Sequence, residues 1–224
     1  MLNEKENARS CRLFALGAAA VSLAAAVPVV LRRLAGRSEA ERAALPPEAE
    51  GYTTDGYIRD QDCFSAYTYR RMAASENSCG CIVAFNVRLA QGQSPSFSEV
   101  AREMDTMHRL PGPGPTHMYV MRRYLTRYLP GWRETHGRRA CLAAAKGSGM
   151  GIFRYWESHV PHFVSYIRTP EGAFRFFNVC DGAEDRVFSM EEFISGHCAF
   201  GPVRLLWWKA GERREGILEK DIKM

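Results

Sequence analysis

The stretch ENSCGCIVAFN, residues 76–86, carries the residues of this chain best placed to do chemistry: Cys79 and Cys81, one glycine apart. Four roles suit such a pair: metal clip, redox pair, inert buried thiols, or a nucleophile at a helix start. Zinc sites prefer cysteines separated by roughly two to four residues. Here only Gly80 intervenes, and His159 and His162 lie in HVPH across a proline rather than on one helix face, so no metal is expected. A redox pair more often reads C-x-x-C. A nucleophile needs help to ionise, because a free thiol titrates near about 8.5. A helix N-terminus supplies partial positive charge, Gly80 is expected to let the backbone turn sharply into that helix, and an imidazole completes the activation.

The imidazole and an orienting group are sought in HVPHFVSYIRTPEGAFRFFNVCDG. His162 opens a strand and Asn178 lies near the end of the next, with a Pro-Glu-Gly link between them. A three-residue link sets Thr169 opposite Ala173 and His162 opposite Cys180, which makes Asn178 the diagonal neighbour of His162 on the same face. A slip of one residue would turn Asn178 to the other face. Asp181 is the alternative orienter.

This constellation resembles the papain-like cysteine peptidases, and within them the C39-like bacterial group. In that pattern a cysteine-glycine pair opens a helix, a histidine starts a strand, and Asn or Asp follows on the adjacent strand. The matching residues are NSCGCIVAFN, PHFV and FFNV, with the acidic helix SMEEF closing the domain, over roughly residues 60–210. The resemblance implies Cys79 as nucleophile, His162 as general base and acid, and Asn178 as orienter. It selects Cys79 over Cys81, because the C39-like pattern sets the reactive thiol directly before glycine. The family's oxyanion hole joins the nucleophile's own N–H to a glutamine several residues upstream. No glutamine lies between Tyr69 and Cys79, which leaves Asn77, or Gln61 from the preceding loop, to take that place. The activity implied is that of a cysteine peptidase, or a related amide-bond acyl-transfer enzyme, acting on a peptide or small amide without a cofactor. The alternative is a catalytically degenerate fold that holds a peptide or partner.

The elements that must position these residues divide into two halves. A helix is expected from Cys79 to about Ala90, a second after SPSFSEVAREMDTMHRL with Ser96 and Glu99 as a capping box, and a third from Thr116. Strands are expected at 151–157, 162–169, 173–179 and 203–210, with a short capped helix at 189–196. Helices first and an antiparallel sheet afterwards give an α+β domain, papain-like or C39-like in fold.

With 224 residues, the chain has room for one domain with an appendage. The domain is placed at 51–212, after a tail (1–12), an apolar segment (13–31) and a linker (32–50), and before a tail at 213–224. Residues 13–31 are nineteen consecutive uncharged residues between arginines, long enough to span a bilayer as a single-pass anchor; basic residues on both flanks leave the side of the domain undetermined, the extracytoplasmic side being slightly favoured. The competing reading is a signal peptide cleaved after residue 26, which would make the protein secreted. A net charge of +5, dispersed in pairs such as Arg70-Arg71 and Arg122-Arg123, reads as a solvated face, and no nucleic-acid partner is expected. Cys11 stands apart, leaving six other cysteines, an even number that permits disulfides, and Cys81 is read as packing or a disulfide partner.

Overall fold

The computed structural model describes residues 51–65, 67–109, 113–157, 160–179 and 186–211. The expected anchor at 13–31, the linker, the C-terminal tail, Cys11, His159, Cys180 and Asp181 lie outside the described residues. Among the described residues no helix is long and apolar enough to cross a membrane.

After a 3-10 turn at Gln61–Phe64, a small hairpin pairs β1 (Thr68–Tyr69) with β2 (Met72–Ala73). Two nearly continuous helices follow, α1 (Ala74–Asn77) and α2 (Cys79–Ala90), then α3 (Phe97–Met107) and α4 (Met118–Tyr128). Strand β3 (Arg133–His136) and helix α5 (Arg138–Lys146) lead into β4 (Ser148–Glu157), β5 (Val160–Arg168), β6 (Phe174–Phe177) and β7 (Arg186–Phe188). Helix α6 (Met190–His197) and strand β8 (Arg204–Lys209) complete the element order. The main sheet has six strands in the order β3-β8-β4-β5-β6-β7, every neighbouring pair antiparallel.

Alternation along the strands gives the sheet two apolar faces. Ile152, Phe163, Leu206 and Trp208 join the core built on α2, α3 and α4. Phe153, Tyr155, Val164, Tyr166 and Leu205 point the other way and pack with α5 and α6. The sheet therefore lies between two helical layers, one more than the sequence suggested. The missed layer is α5, whose start RRACLAAAK is too basic at its N-terminus to read as a capped helix.

Helix α2 is buried from Cys79 to Arg88, as a helix packed on all sides must be. Two polar residues fix its position. Asn86 accepts from the Ile58 N–H through Oδ1 (2.9 Å) and donates through Nδ2 to the Ile58 carbonyl (2.9 Å) and to Ser165 Oγ on β5 (3.3 Å). Arg88 donates to Glu103 on α3 (2.9 Å) and to the Tyr124 hydroxyl on α4 (3.0 Å). A buried ion pair held by several bonds fixes geometry more than it adds stability.

The expected capping box at Ser96 is half formed: Ser96 Oγ accepts from the Glu99 N–H at 3.1 Å. The complete box is at Ser189 and Glu192, where both reciprocal bonds are made. Helix α4 starts at Met118, two residues later than expected, because Thr116 is used to pack against α2.

Candidate active site

Cys79 is the first residue of α2, as the sequence predicts, but the helix start is unusual. Its N-cap, Ser78, makes no side-chain cap, and the carbonyl end of α1 abuts it through the Ser78 N–H to Ala74 bond (3.0 Å). A helix C-terminus carries partial negative charge, so α1 offsets part of the positive field that the thiol receives from α2.

The role expected of Gly80 is corrected by the backbone. Gly80 has helical geometry and makes no sharp turn; it is absent from the glycines with positive φ. What requires glycine is Thr116, which arrives from the loop before α4. A Cβ on Gly80 would lie 2.4 Å from Thr116 Cβ and 2.4 Å from its Oγ1. The Cys-Gly pair thus records a close approach, with Thr116 lying against the helix beside the thiol.

Cys79 is 4 % exposed, and burial pushes its thiol up to about 11. Opposing that, the N–H groups of Phe163, Gly80 and Cys79 itself and the guanidinium of Arg154 hold it down. Phe163 directly follows His162, so the start of α2 meets the start of β5, but at Phe163: the His162 side chain shares the other face of the sheet with Tyr155, and thiol and imidazole are not brought together. Cys81 lies one turn deeper as a free, buried thiol, pushed up to about 12 by burial; the packing reading of Cys81 holds.

His162 is 5 % exposed and faces Tyr155 across the β4–β5 ladder, ring edge to ring face at 5.9 Å. Burial lowers its pKa below 6.5, against the pull of the Asn178 carbonyl. Thiol and imidazole are therefore both neutral near pH 7.

The hairpin register is as expected: Ser165 pairs with Phe177 and Arg168 with Phe174, and the Thr169 N–H reaches the Ala173 carbonyl at 2.8 Å. Asn178 nevertheless meets His162 in a different way. Its φ of +67° turns it out of the strand, a conformation asparagine tolerates better than most residues. The backbone carbonyl of Asn178 then lies 2.6 Å from His162 Nε2. A carbonyl can only accept, so Nε2 carries the proton and Nδ1 is the basic nitrogen of the neutral ring. The side chain does other work: Oδ1 accepts from the Gln61 N–H and Nδ2 donates to the Phe163 carbonyl, each at 2.9 Å. Asn178 orients the imidazole through its main chain, while its amide rivets the 3-10 turn to β5.

Asn77 and Gln61, the two amides that could complete an oxyanion hole, both border the start of α2. Asn77 Nδ2 donates to the Tyr69 carbonyl at 2.6 Å, and Gln61 Nε2 donates to the Ser75 carbonyl at 2.5 Å. Each amide keeps a second N–H. Around them, Gln61 Oε1, Asn77 Oδ1, Ser78 Oγ and Thr116 Oγ1 are buried with no hydrogen-bond partner among the described residues. Native interiors carry few such atoms; Asn77 and Ser78 immediately precede Cys79, and Thr116 lies against Gly80.

The chain is similar to a solved peptidase domain. That domain belongs to Streptococcus ComA, a bi-functional ABC transporter involved in a quorum-sensing pathway; identity is 12 %, 60 % of this chain and 93 % of that domain are covered, and the TM-score is 0.42. No family model and no curated protein matches the chain. The likeness is loose, and the chemistry of the site rests on its own residues.

Sequence reasoning missed Thr116, Arg154 and Trp156. Arg154 interrupts the apolar strand GIFRYWE, a charged residue where a half-buried strand needs none, and that interruption was the available signal. Among the described residues no group of His, Cys, Asp and Glu is arranged to hold a metal ion.

Proposed function

We propose that this domain is a cysteine-type hydrolase, a peptidase or related amide-bond acyl-transfer enzyme, with Cys79 as nucleophile and His162 as general base and acid. What supports this reading is Cys79 at the start of α2 against the backbone of Phe163, with His162 next in the chain; His162 itself pairs with Tyr155 on the other face of the sheet, so the chemistry requires its ring to turn toward the thiol. With its ring turned to the Cys79 side, His162 takes the thiol proton as sulfur attacks the amide carbon, and the same proton passes to the departing amine. Water, deprotonated by His162, then cleaves the thioester and releases the acid. The oxyanion is met by the Cys79 N–H and by a spare N–H of Gln61 or Asn77. A neutral resting pair means that the proton moves with the attack, once substrate excludes water. Asn178 acts as a positioning residue. Residues 13–31 tether the domain to a membrane, on its extracytoplasmic side.

One observation favours a second reading, a tethered binding module without turnover. The Cys79 thiol is pushed up to about 11, far from the depressed values of activated cysteines.

The test is covalent trapping. A peptidyl vinyl sulfone is incubated with the full-length chain near pH 7, and adducts are located by peptide mass spectrometry. The enzyme reading expects one adduct per chain, on Cys79, lost in His162→Ala. Labelling confined to the exposed Cys63, or a Cys79 adduct indifferent to His162→Ala, overturns it.

A further inference from the structure

Strand β4 carries a cation that takes no proton and forms no bond in the proposed hydrolysis. Arg154 is half-buried, yet among the described residues it has no hydrogen bond to an acceptor and no carboxylate partner. Its cross-strand neighbours are Phe163 on one side and Arg204 on the other. Arg204 is served by Glu134 (3.3 Å), which also holds Arg122 (2.7 Å) and His136 (3.2 Å), so β8 and β3 keep that carboxylate. Glu157 has the parity of Tyr155 and binds its hydroxyl at 2.6 Å, on the opposite face of the sheet. What Arg154 does have is a platform: its guanidinium lies 6.0 Å over the Trp156 ring, two residues along the same face.

Trp156 adds a second idle donor. Its Nε1–H is buried without a partner among the described residues. The ring is held from behind by Gly201, whose φ of +71° and missing side chain let it lie against Trp156, where a Cβ would come within 2.8 Å. Phe200, the next residue back, is 81 % exposed. A guanidinium and an indole N–H, both without acceptors among the described residues and with Phe200 next in the chain to Gly201, stand on the face of the sheet that meets Cys79. Burying a cation without a counter-charge is costly, and fixed donors without acceptors are rarer still in a finished core.

The geometry points to Arg154 and Trp156 as an anion subsite beside Cys79 that binds a carboxylate of the peptide substrate, with Phe200 accommodating an adjoining apolar side chain. This deepens the hydrolase reading and rests on Cys79 being the reacting residue. The planar guanidinium suits a carboxylate through paired N–H donors, and stacking on Trp156 keeps it oriented before the ligand arrives. The carboxylate has two sources, the free C-terminus of a peptide or the side chain of an internal acidic residue.

Binding is tested without requiring turnover. Three tripeptides bearing a neutral dye at the amino end are titrated into full-length Cys79→Ser and followed by anisotropy: Ala-Ala-Phe acid, Ala-Ala-Phe amide and Ala-Glu-Phe amide. The subsite requires at least one anionic peptide to bind about tenfold more tightly than the neutral amide. Adding Arg154→Gln should erase that preference with the neutral peptide unchanged, and Arg154→Lys should restore part of it. Preference for the acid names a terminal carboxylate, preference for the glutamyl amide names a side chain, and either upholds the subsite. Equal binding of all three, no binding, or a preference that survives Arg154→Gln overturns it. Thermal melting of each variant checks that it is folded. The two readings fail separately: trapping at Cys79 with no anion preference removes only the subsite, and anion preference with an untrappable Cys79 removes only the hydrolase.

Discussion

The carbonyl of Asn178 lies 2.6 Å from Nε2 of His162, and the side chain of Asn178 is committed elsewhere. A residue at the orienter's position thus orients by its main chain. Asn178→Gly keeps the carbonyl and accommodates the positive φ but removes both amide bonds. It should cost about 2 kcal/mol of stability, the scale of a buried donor and acceptor left unpaired, read by urea denaturation. Trapping of Cys79 should survive in the folded fraction; its complete loss there would return the orienting role to the amide.

Cys79 should respond to reagents according to whether they resemble substrate. Burial sets its thiol at about 11, so alkylation by iodoacetamide should climb with pH through that region, behind the exposed Cys63. A peptidyl electrophile should reverse the order near pH 7, with Cys79 labelled first. Reaction of Cys79 with iodoacetamide faster than Cys63 at neutral pH would contradict the buried, neutral thiol.

Gly80 and Thr116 form a pair whose coupling has a predictable sign. Gly80→Ala gains up to about 1 kcal/mol of helix propensity but drives a Cβ into Thr116, a clash costing about 1–3 kcal/mol. The single substitution should destabilise. In a Thr116→Gly background the obstacle is gone, and Gly80→Ala should stabilise. Two destabilising values of equal size, measured by denaturant melts, would mean the contact is unimportant.

Acid should weaken the fold through its histidines. His162 and His108 both have pKa values lowered by burial, His108 to about 4. Each binds its proton more readily unfolded, where the value is 6.5. Stability is therefore fully present above about pH 6.5 and falls as pH drops from there toward the folded values. Urea midpoints between pH 7 and 4 should decline, and His108→Asn should flatten part of the slope; a midpoint constant over that range would refute the assignment.

What the sequence revealed here followed from local rules. The Pro-Glu-Gly link imposes one register on β5 and β6, so Thr169 opposite Ala173 was legible, and the start of α2 at Cys79 could be read from the apolar run behind it. The positive φ of Asn178 was not legible, because it follows from contacts with Arg59 and Gln61 far away in the chain. The reason for Gly80 lay equally far off, in Thr116. Helix α5 escaped because its burial depends on a sheet face that only the assembled strands create. The two residues of the anion subsite sat in a stretch that pattern alone reads as strand.

One connection ties these parts together. Gln61 holds Asn178 through its main chain and the segment before Cys79 through its side chain, and the first of these bonds joins positions 117 residues apart. Contacts of such long separation close late in folding, after local helices and hairpins have formed. During synthesis Cys79 leaves the ribosome well before His162 and Asn178 exist. Until β6 docks and brings the Asn178 carbonyl to the imidazole, the proposed Cys79–His162 pair is incomplete. On the proposed chemistry, the order of synthesis keeps Cys79 idle until the fold is complete.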